Sequence, residues 1–307
     1  MQCPDRFEAD VISTFGRHLL LRDAQGQLLR ARPFGRDLQV VCGDRVGCES
    51  DAHQQVLVRS VLPRQSVLLR SNARGRSEPI VANLTLAVVV VAAVPRPDPY
   101  MIDRYLCAAA SAGLAAALVV NKADLPLRTD DEAALAELAS LGVPLHRVSA
   151  LHDQSLQALA AALAGHTAVL VGQSGVGKSS LIRRLAIDGE SAATGELMRD
   201  AEGRHTTTAS RLYDCPGGGR LIDSPGVRDY APAVDQLDPA SLGFIEIDRL
   251  APGCRFADCR HLQEPGCAVT AAVAEGTVSA RRYESYRRLR RLYQDLLQQR
   301  APGSERR

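Results

Sequence analysis

Tryptophan is absent from this chain of 307 residues, and aromatic residues make up only 4% of it. That disfavours a surface that stacks nucleobases on aromatic rings, but it leaves binding to a phosphate backbone open. Net charge is scarce too. At +2, any affinity for nucleic acid has to come from local patches and not from the field of the whole molecule. Long apolar runs are missing. The longest, residues 84–94, is interrupted by Thr85 and is too short to cross a bilayer. Its valines suit a fully buried parallel strand instead. Residues 1–10 are polar and lack the apolar stretch of a signal peptide. The expectation is a cytoplasmic protein with no membrane partner.

What is present suffices for cores: 46% of residues are hydrophobic, and the length suggests two or three domains. Residues 5–70 read as all-β, with short apolar runs at 9–12, 18–21, 28–31, 38–41 and 56–61 separated by turn signals. So many strands in so short a span suit a small barrel; a meander packed on its neighbour is the alternative. Arg64 and residues 70–76 read as a basic linker. From 83 to 230 strands alternate with helices: strands at 84–94, 115–120, 168–171 and 220–222, helices at 130–141, 155–163 and from 179 to 185. This is α/β with a mostly parallel sheet. Beyond 235 come a cysteine cluster and a charged helix over 279–300, with Tyr283, Tyr286, Leu289, Leu292, Tyr293 and Leu296 at helical spacing.

Gly172, Gln173, Ser174, Gly175, Val176, Gly177, Lys178 and Ser179 match G-x-x-x-x-G-K-S/T in full, between a strand and a helix, with Ser180 following. Glycines let backbone N–H groups curl round phosphates where a Cβ would block the approach. Lys178 brings charge to the β- and γ-phosphates, and Ser179 brings a hydroxyl to Mg²⁺. Asp223 ends the 220–222 strand and opens D-x-x-G with Gly226. Its carboxylate can reach the magnesium shell, and the Gly226 amide can bond a γ-phosphate.

Asn121, Lys122, Ala123 and Asp124 form N-K-x-D after another strand. Asp124 can accept from guanine's ring N–H and exocyclic amine, a donor pair adenine lacks. Asn121 can fix the loop, and the Lys122 stem can cover the ring. Alone the tetrapeptide could be a capping turn; beside a phosphate loop it selects guanine. Ser149 and Ala150 fit the loop that buttresses the base. The order is unusual, because N-K-x-D and Ser149–Ala150 precede the phosphate loop. A circularly permuted domain keeps the sheet's spatial order, with residues 152–165 bridging the old ends. The segment after Asp223 then runs straight into the C-terminal region.

Residues 203–208, Gly203, Arg204, His205, Thr206, Thr207 and Thr208, lie between the phosphate loop and D-x-x-G. A threonine there can close over Mg²⁺. Thr207 is favoured, with Thr206 and Thr208 as close rivals and an ordinary polar loop as the alternative. Val227 stands where many GTPases carry a water-orienting glutamine, so another residue has to place the water, and His205 is a candidate.

Five cysteines, Cys3, Cys42, Cys48, Cys107 and Cys215, are scattered. Cys254, Cys259 and Cys267 crowd together with His261 as C-x4-C-x-H-x5-C, the donor set of a closed structural zinc site. The helix beyond carries Arg281, Arg282, Arg287, Arg288, Arg290 and Arg291. These can meet RNA phosphates or form a solvated face.

Together these motifs, in permuted order and followed by this zinc spacing, resemble the ribosome small subunit-dependent GTPase A family over nearly the whole chain. The resemblance implies a multidomain α/β protein. An OB-fold barrel that binds RNA would occupy 1–72, a permuted GTPase domain 73–232, and a zinc-binding domain 233–307. It implies GTP hydrolysis to GDP with Mg²⁺ and zinc, with the small (30S) ribosomal subunit and its rRNA as the partner. The subunit would stimulate hydrolysis, and hydrolysis would accompany release. The histidine matching His205 would place the water, with Thr207 and Lys178 completing the catalytic set, in a monomer. Two rival readings are a nucleotide-gated RNA-binding module whose hydrolysis is incidental, and a P-loop ATPase.

Overall fold

The computed structural model describes residues 5–50, 55–71, 77–151, 153–187, 209–224, 234 and 237–300. The first five strands are β1 (Asp5–Phe15), β2 (His18–Asp23), β3 (Leu28–Pro33), β4 (Arg45–Ser50) and β5 (Val56–Val61). They pair in the order β1-β2-β3-β5-β4, and β4 returns to β1. Only the β3–β5 pair among them is parallel. The closed five-stranded barrel is an OB-fold, and closure removes the exposed edges that an open meander would leave. Inward positions alternate along the strands, and Val11, Leu19, Leu21, Val46, Cys48 and Val58 fill the interior.

Two expectations need correction here. Residues 38–41 form no strand. Leu38 and Val40 pack against the barrel interior from a loop, and the fourth strand is Arg45–Ser50. There Val46 and Cys48 alternate inward, but Gly47 and the charged ends conceal the pattern. Gly47 is required because a Cβ would meet Ser60 Oγ at 2.7 Å. The expected basic linker is also partly strand: β6 (Val67–Ser71) pairs antiparallel with β7 (Ser77–Ala82). Arg64 belongs to neither, since its guanidinium closes on the buried Asp44 carboxylate at 2.7 and 2.9 Å.

The larger sheet continues with β8 (Leu86–Ala92), β9 (Ala115–Asn121), β10 (Leu145–Arg147), β11 (Thr167–Val171), β12 (Ser210–Asp214) and β13 (Arg220–Asp223). Their order is β10-β9-β8-β11-β13-β12, parallel except for β12. Strand β8 is buried throughout. Ala87, Val89 and Val91 enter the core beneath α1 (Pro99–Ser111) and α2 (Thr129–Ser140), whereas Leu86, Val88 and Val90 enter the one beneath α3 (Asp153–Leu163) and α4 (Lys178–Leu185). The period of two along a strand, with helices on both faces, explains the unbroken apolar run. Helix α1 had no counterpart in the periodicity reading, but its start was legible: Asp98 caps Tyr100 N at 3.0 Å and Pro99 takes the first turn.

Strands β8, β9 and β10 lie on one side of β11, and β13 and β12 on the other. The parallel register places the ends of β8, β9, β11 and β13 along one edge, beside the point where chain direction across the sheet reverses. This is where open α/β sheets hold ligands.

Beyond the sheet come α5 (Ile245–Leu250), α6 (Ala268–Ala274) and α7 (Ala280–Arg300). Tyr286 and Leu289 are fully buried, and Tyr283, Leu292, Tyr293 and Leu296 pack beside them, in the same core that holds α1 and β8. The arginines of α7 divide. Arg282 is 3% exposed, with Nη1 2.6 Å from Asp103 Oδ1 and Nε 2.7 Å from Glu246 Oε1. Arg281 bridges Asp103 and Glu137. Arg290 donates to the carbonyls of Pro239 and Ala240 and to the Tyr286 hydroxyl. Arg281 and Arg282 lock α7 onto the domain before it and Arg290 ties it to the segment ahead of α5, so neither an RNA face nor a solvated face describes these three; Arg287 and Arg288 pair with Glu284 on the helix surface. Among the described residues no helix is long and apolar enough to cross a membrane.

Removing Arg282 leaves Glu246 without its cation and Asp103 with Arg281 alone, both in a buried setting. Arg282→Ala is expected to cost about 3–5 kcal/mol of stability, while Arg291→Ala on the exposed face changes it by less than about 0.5 kcal/mol. Urea unfolding followed by circular dichroism checks both.

Candidate nucleotide and metal sites

Strand β11 is buried along its length and passes into the glycine-rich loop at Gly172. Here φ is +141°, and a Cβ would lie 2.2 Å from Val90 O. Gly177, at φ +98°, has no more room, because its Cβ would fall 2.2 Å from Asn121 Nδ2. Only glycine allows both approaches. Between them Val176 is fully buried and anchors the loop. Helix α4 then starts at Lys178, so its free N–H groups and positive dipole end face the loop. Lys178 is 7% exposed, and its Nζ donates to Gly172 O at 2.6 Å and Gln173 O at 2.8 Å. Ser179 is exposed and Ser180 half-buried at the start of the helix.

The N-K-x-D loop is fastened to this one. Asn121 is 1% exposed and donates through Nδ2 to Val176 O at 2.8 Å. Its Oδ1 is buried with no partner, an acceptor left for a ligand. Lys122 has φ +56°, an unfavourable setting for a side chain. Its Nζ donates to Gly175 O at 2.8 Å and Val94 O at 2.7 Å, so the stem lies along the loop mouth. Asp124 Oδ1 accepts from Ser149 Oγ at 2.9 Å, and Ser149 N donates to Ser155 Oγ at 3.0 Å. Ala150 packs on the core beneath. Val169 pairs with Ile222, which brings Asp223 to the same edge beside β11.

The structure therefore brings Asn121, Lys122, Asp124, Ser149, Ala150, residues 172–180 and Asp223 to one edge of the sheet. Ser179 and Asp223 offer the hard oxygen donors that suit Mg²⁺. The readings placed on His205, Thr206, Thr207, Thr208, Gly226 and Val227 lie outside the described residues.

The second site lies in the C-terminal region. The ligand atoms of Cys254, Cys259, His261 and Cys267 all lie within 4.8 Å of one another. His261 Nδ1 is 3.4 Å from Cys254 Sγ and 3.5 Å from Cys267 Sγ, and those two sulfurs are 3.9 Å apart. A tetrahedral ion with metal–sulfur bonds of about 2.3 Å requires sulfurs about 3.8 Å apart, so the residues fit. Burial and then the Arg290 guanidinium lower the His261 pKa, which favours the neutral imidazole that a metal needs. Burial pushes the Cys259 thiol up to about 12. Burial also opposes ionisation of Cys267, but the Thr270 N–H and its neighbours outweigh it and hold that thiol below its ordinary value.

Sequence reading missed the supports. His261 sits at φ +57°. Its carbonyl accepts from the Tyr283 hydroxyl at 2.8 Å, and the Arg260 carbonyl accepts from Tyr286 at the same distance. Glu264 accepts from the backbone N–H groups of Arg260, Leu262 and Gln263 at 2.9–3.0 Å. Burial alone would raise its pKa, but these bonds prevail and lower it to about 2. Its contribution is complete above the ordinary carboxyl value of 4.5 and is lost as pH falls toward 2. A glutamate between two ligands, just before Pro265 and Gly266, was the available signal.

The family model described as RsgA GTPase matches residues 61–232. A protein of Azotobacter vinelandii named small ribosomal subunit biogenesis GTPase RsgA is 42% identical over 268 residues, covering 86% of this chain and 78% of that protein. Its namesake in Chromohalobacter salexigens is 43% identical over 286 residues, covering 91% and 84%. The crystal structure of YjeQ from Thermotoga maritima superposes with a TM-score of 0.72 at 27% identity, covering 95% of this chain and 99% of that one. YloQ, titled a circularly permuted GTPase, shares the fold with a TM-score of 0.69 at 24% identity, covering 95% and 96%.

Because Glu264 organises the loop that carries His261, Glu264→Ala is expected to weaken metal affinity by about 10–100-fold. Glu264→Gln, which keeps acceptor oxygen but loses the charge, should fall between. Competition with a chromogenic chelator at pH 7 measures it; unchanged affinity for both would contradict the role.

Proposed function

The chain belongs to the RsgA GTPase family, and from that membership we infer that it hydrolyses GTP in biogenesis of the small ribosomal subunit. The observation that carries this reading to particular residues is the fastening of the base loop to the phosphate loop through Asn121 and Lys122.

On this reading the amides of residues 172–180 and the Lys178 ammonium hold the β- and γ-phosphates. Lys178 exchanges its contacts with Gly172 O and Gln173 O for phosphate oxygens. Asp124, oriented by the Ser149 hydroxyl, accepts guanine's two donors, and the Lys122 stem covers one ring face. Ser179, Asp223 and Thr207 would hold Mg²⁺, which would supply positive charge to offset that of the phosphates. Little covalent chemistry falls to the protein, so positioning and charge carry the rate. Orientation of the attacking water is assigned to His205, because Val227 has no group able to bond it. Zinc at Cys254, Cys259, His261 and Cys267 is structural: four protein donors leave no coordination position for a substrate.

The small subunit with its rRNA is the partner, engaged by an RNA-binding barrel in 1–72 and by the zinc unit in 233–307, which flank the GTPase unit in 73–232. Subunit binding accelerates hydrolysis, and hydrolysis precedes release of a monomeric, cytoplasmic protein. Without a glutamine in D-x-x-G, turnover of the isolated protein should be slow. Purified small subunits are expected to raise it by at least about tenfold, and binding should weaken steeply with salt if phosphate contacts dominate. Equal rates with and without subunits would leave the incidental-hydrolysis reading standing. A His205→Ala protein that binds subunits with GTP but fails to turn over separates the two steps.

Asp124 offers a sharper test of the nucleotide. Asp124→Asn replaces an acceptor by an amide that can donate to a carbonyl. GTP affinity should drop by about 100-fold or more, and affinity for xanthosine triphosphate, which carries a carbonyl in place of the amine, should rise. Calorimetry with GTP, ATP and xanthosine triphosphate reads all three, and competitive ATP binding in the wild type would favour the ATPase alternative.

A further inference from the structure

Strand β12 lies between two neighbours of different kinds. On one side it pairs antiparallel with β13, with Arg211 opposite Asp223. On the other it pairs with β1 of the barrel, with Ser13 opposite Arg211 and Thr14 opposite Ser210. Side chains reinforce the barrel's hold at both ends of the strand. Ser13 Oγ donates to Ser210 O at 2.9 Å. Arg22 of β2 grips the Asp214 carboxylate with Nη1 and Nη2 at 3.2 and 2.8 Å.

One connection continues toward the nucleotide edge. Ser210 Oγ shares a hydrogen bond with Ser224 Oγ at 2.7 Å, and Ser224 directly follows Asp223. Ser13, Ser210 and Ser224 are 8%, 8% and 2% exposed. Water competes poorly at such sites, so the bond counts nearly in full, and losing one hydroxyl leaves the other buried and unpaired. In sequence, Ser210 comes two residues after Thr208, and Ser224 lies inside D-x-x-G. The hydroxyl pair thus links the strand following one magnesium-side segment to the second residue of the other.

We propose that Ser210 is a positioning residue for GTP hydrolysis: through Ser224 it fixes the end of β13, and with it Asp223, against a strand that the barrel holds. This rests on reading Asp223 as the magnesium-side carboxylate. Its consequence is that the barrel is mechanically continuous with the hydrolytic edge through β12, so displacement of the barrel is felt at Asp223.

Turnover and GTP binding are measured on the full chain carrying Ser210→Ala, Ser224→Ala, both together, Ser210→Thr and Asp223→Asn. Ser210→Ala should lower kcat about tenfold, the rate equivalent of one ordinary hydrogen bond, with KM for GTP little changed and Tm lowered by about a few degrees. Ser224→Ala should match it and the double variant should be no slower than the slower single, because one bond is lost in each. Ser210→Thr keeps the hydroxyl on a residue suited to strands and should restore most of the rate. Should Ser210→Ala fail to fold, Ser224→Ala reads the same bond. Wild-type kcat in either alanine variant, additive losses in the double, or a parallel loss of KM and Tm that threonine does not rescue would overturn the proposal. If Asp223→Asn is inactive while Ser210→Ala turns over normally, this inference alone fails. If Asp223→Asn also turns over normally, the magnesium-side reading fails with it.

Discussion

The phosphate loop passes so close to β8 and to Asn121 that neither contact has room for a Cβ: Val90 O and Asn121 Nδ2 each lie 2.2 Å from where one would stand. Most of the nucleotide edge follows from this packing. Once Gly172 and Gly177 admit their neighbours, Asn121 reaches Val176 O and Lys122 reaches Gly175 O. The loop for phosphate and the loop for base then become one rigid unit, with the Asp124–Ser149 bond as its outer brace. None of these contacts depends on which loop comes first along the chain. A permuted order costs the site nothing so long as β11 stays between β8 and β13 and a helix such as α3 spans the old ends.

The same indifference to chain order governs the attachment of the C-terminal unit. Helix α7 returns to α1 and α2 over sequence separations of 144 to 179 residues to place Arg281 and Arg282 on Asp103 and Glu137. Phe244 meets Tyr286 edge-on at 5.6 Å, and Arg282 lies 4.5 Å above the Phe244 ring. Burying ions is costly unless every one is paired, so this arrangement favours one docking geometry over near alternatives more than it adds raw stability. The metal knuckle then hangs from α7 through the Tyr283 and Tyr286 hydroxyls. These contacts fasten the C-terminal unit to the α1 face of the sheet.

How much of this was legible in the residues depended on whether the physical requirement was local. Glycines at fixed spacing before a lysine declare a backbone conformation, so the phosphate loop could be read outright. The valine run of β8 declared burial on both faces. The metal ligands declared themselves by donor type and spacing. Contacts between distant residues were not legible. Six arginines on one helix look alike in sequence, yet Arg282 and Arg290 are core residues because Glu246, Asp103 and two carbonyls happen to face them. Strand β12 was missed because Ser210, Arg211 and Tyr213 show no apolar alternation; its order comes from two flanking strands. Glu264 was passed over because its partners are backbone groups, which no composition reveals.

Permutation has a further physical consequence. In a chain that begins at the phosphate loop, the segments nearest the γ-phosphate are interior and both their ends return to the same domain. Here the strand before D-x-x-G is paired to a separate barrel, and the chain after it leads to the metal unit. The barrel therefore bears on the one edge where a carboxylate and two buried serines meet. A hydrogen-bonded strand transmits displacement along its length far better than a loop does, because its backbone bonds must all break together for it to yield. A large partner that seats the barrel would fix one end of this path. Order at the hydrolytic edge would then depend on the partner's shape, which suits a site whose D-x-x-G segment carries Val227 in place of a group that could orient water itself.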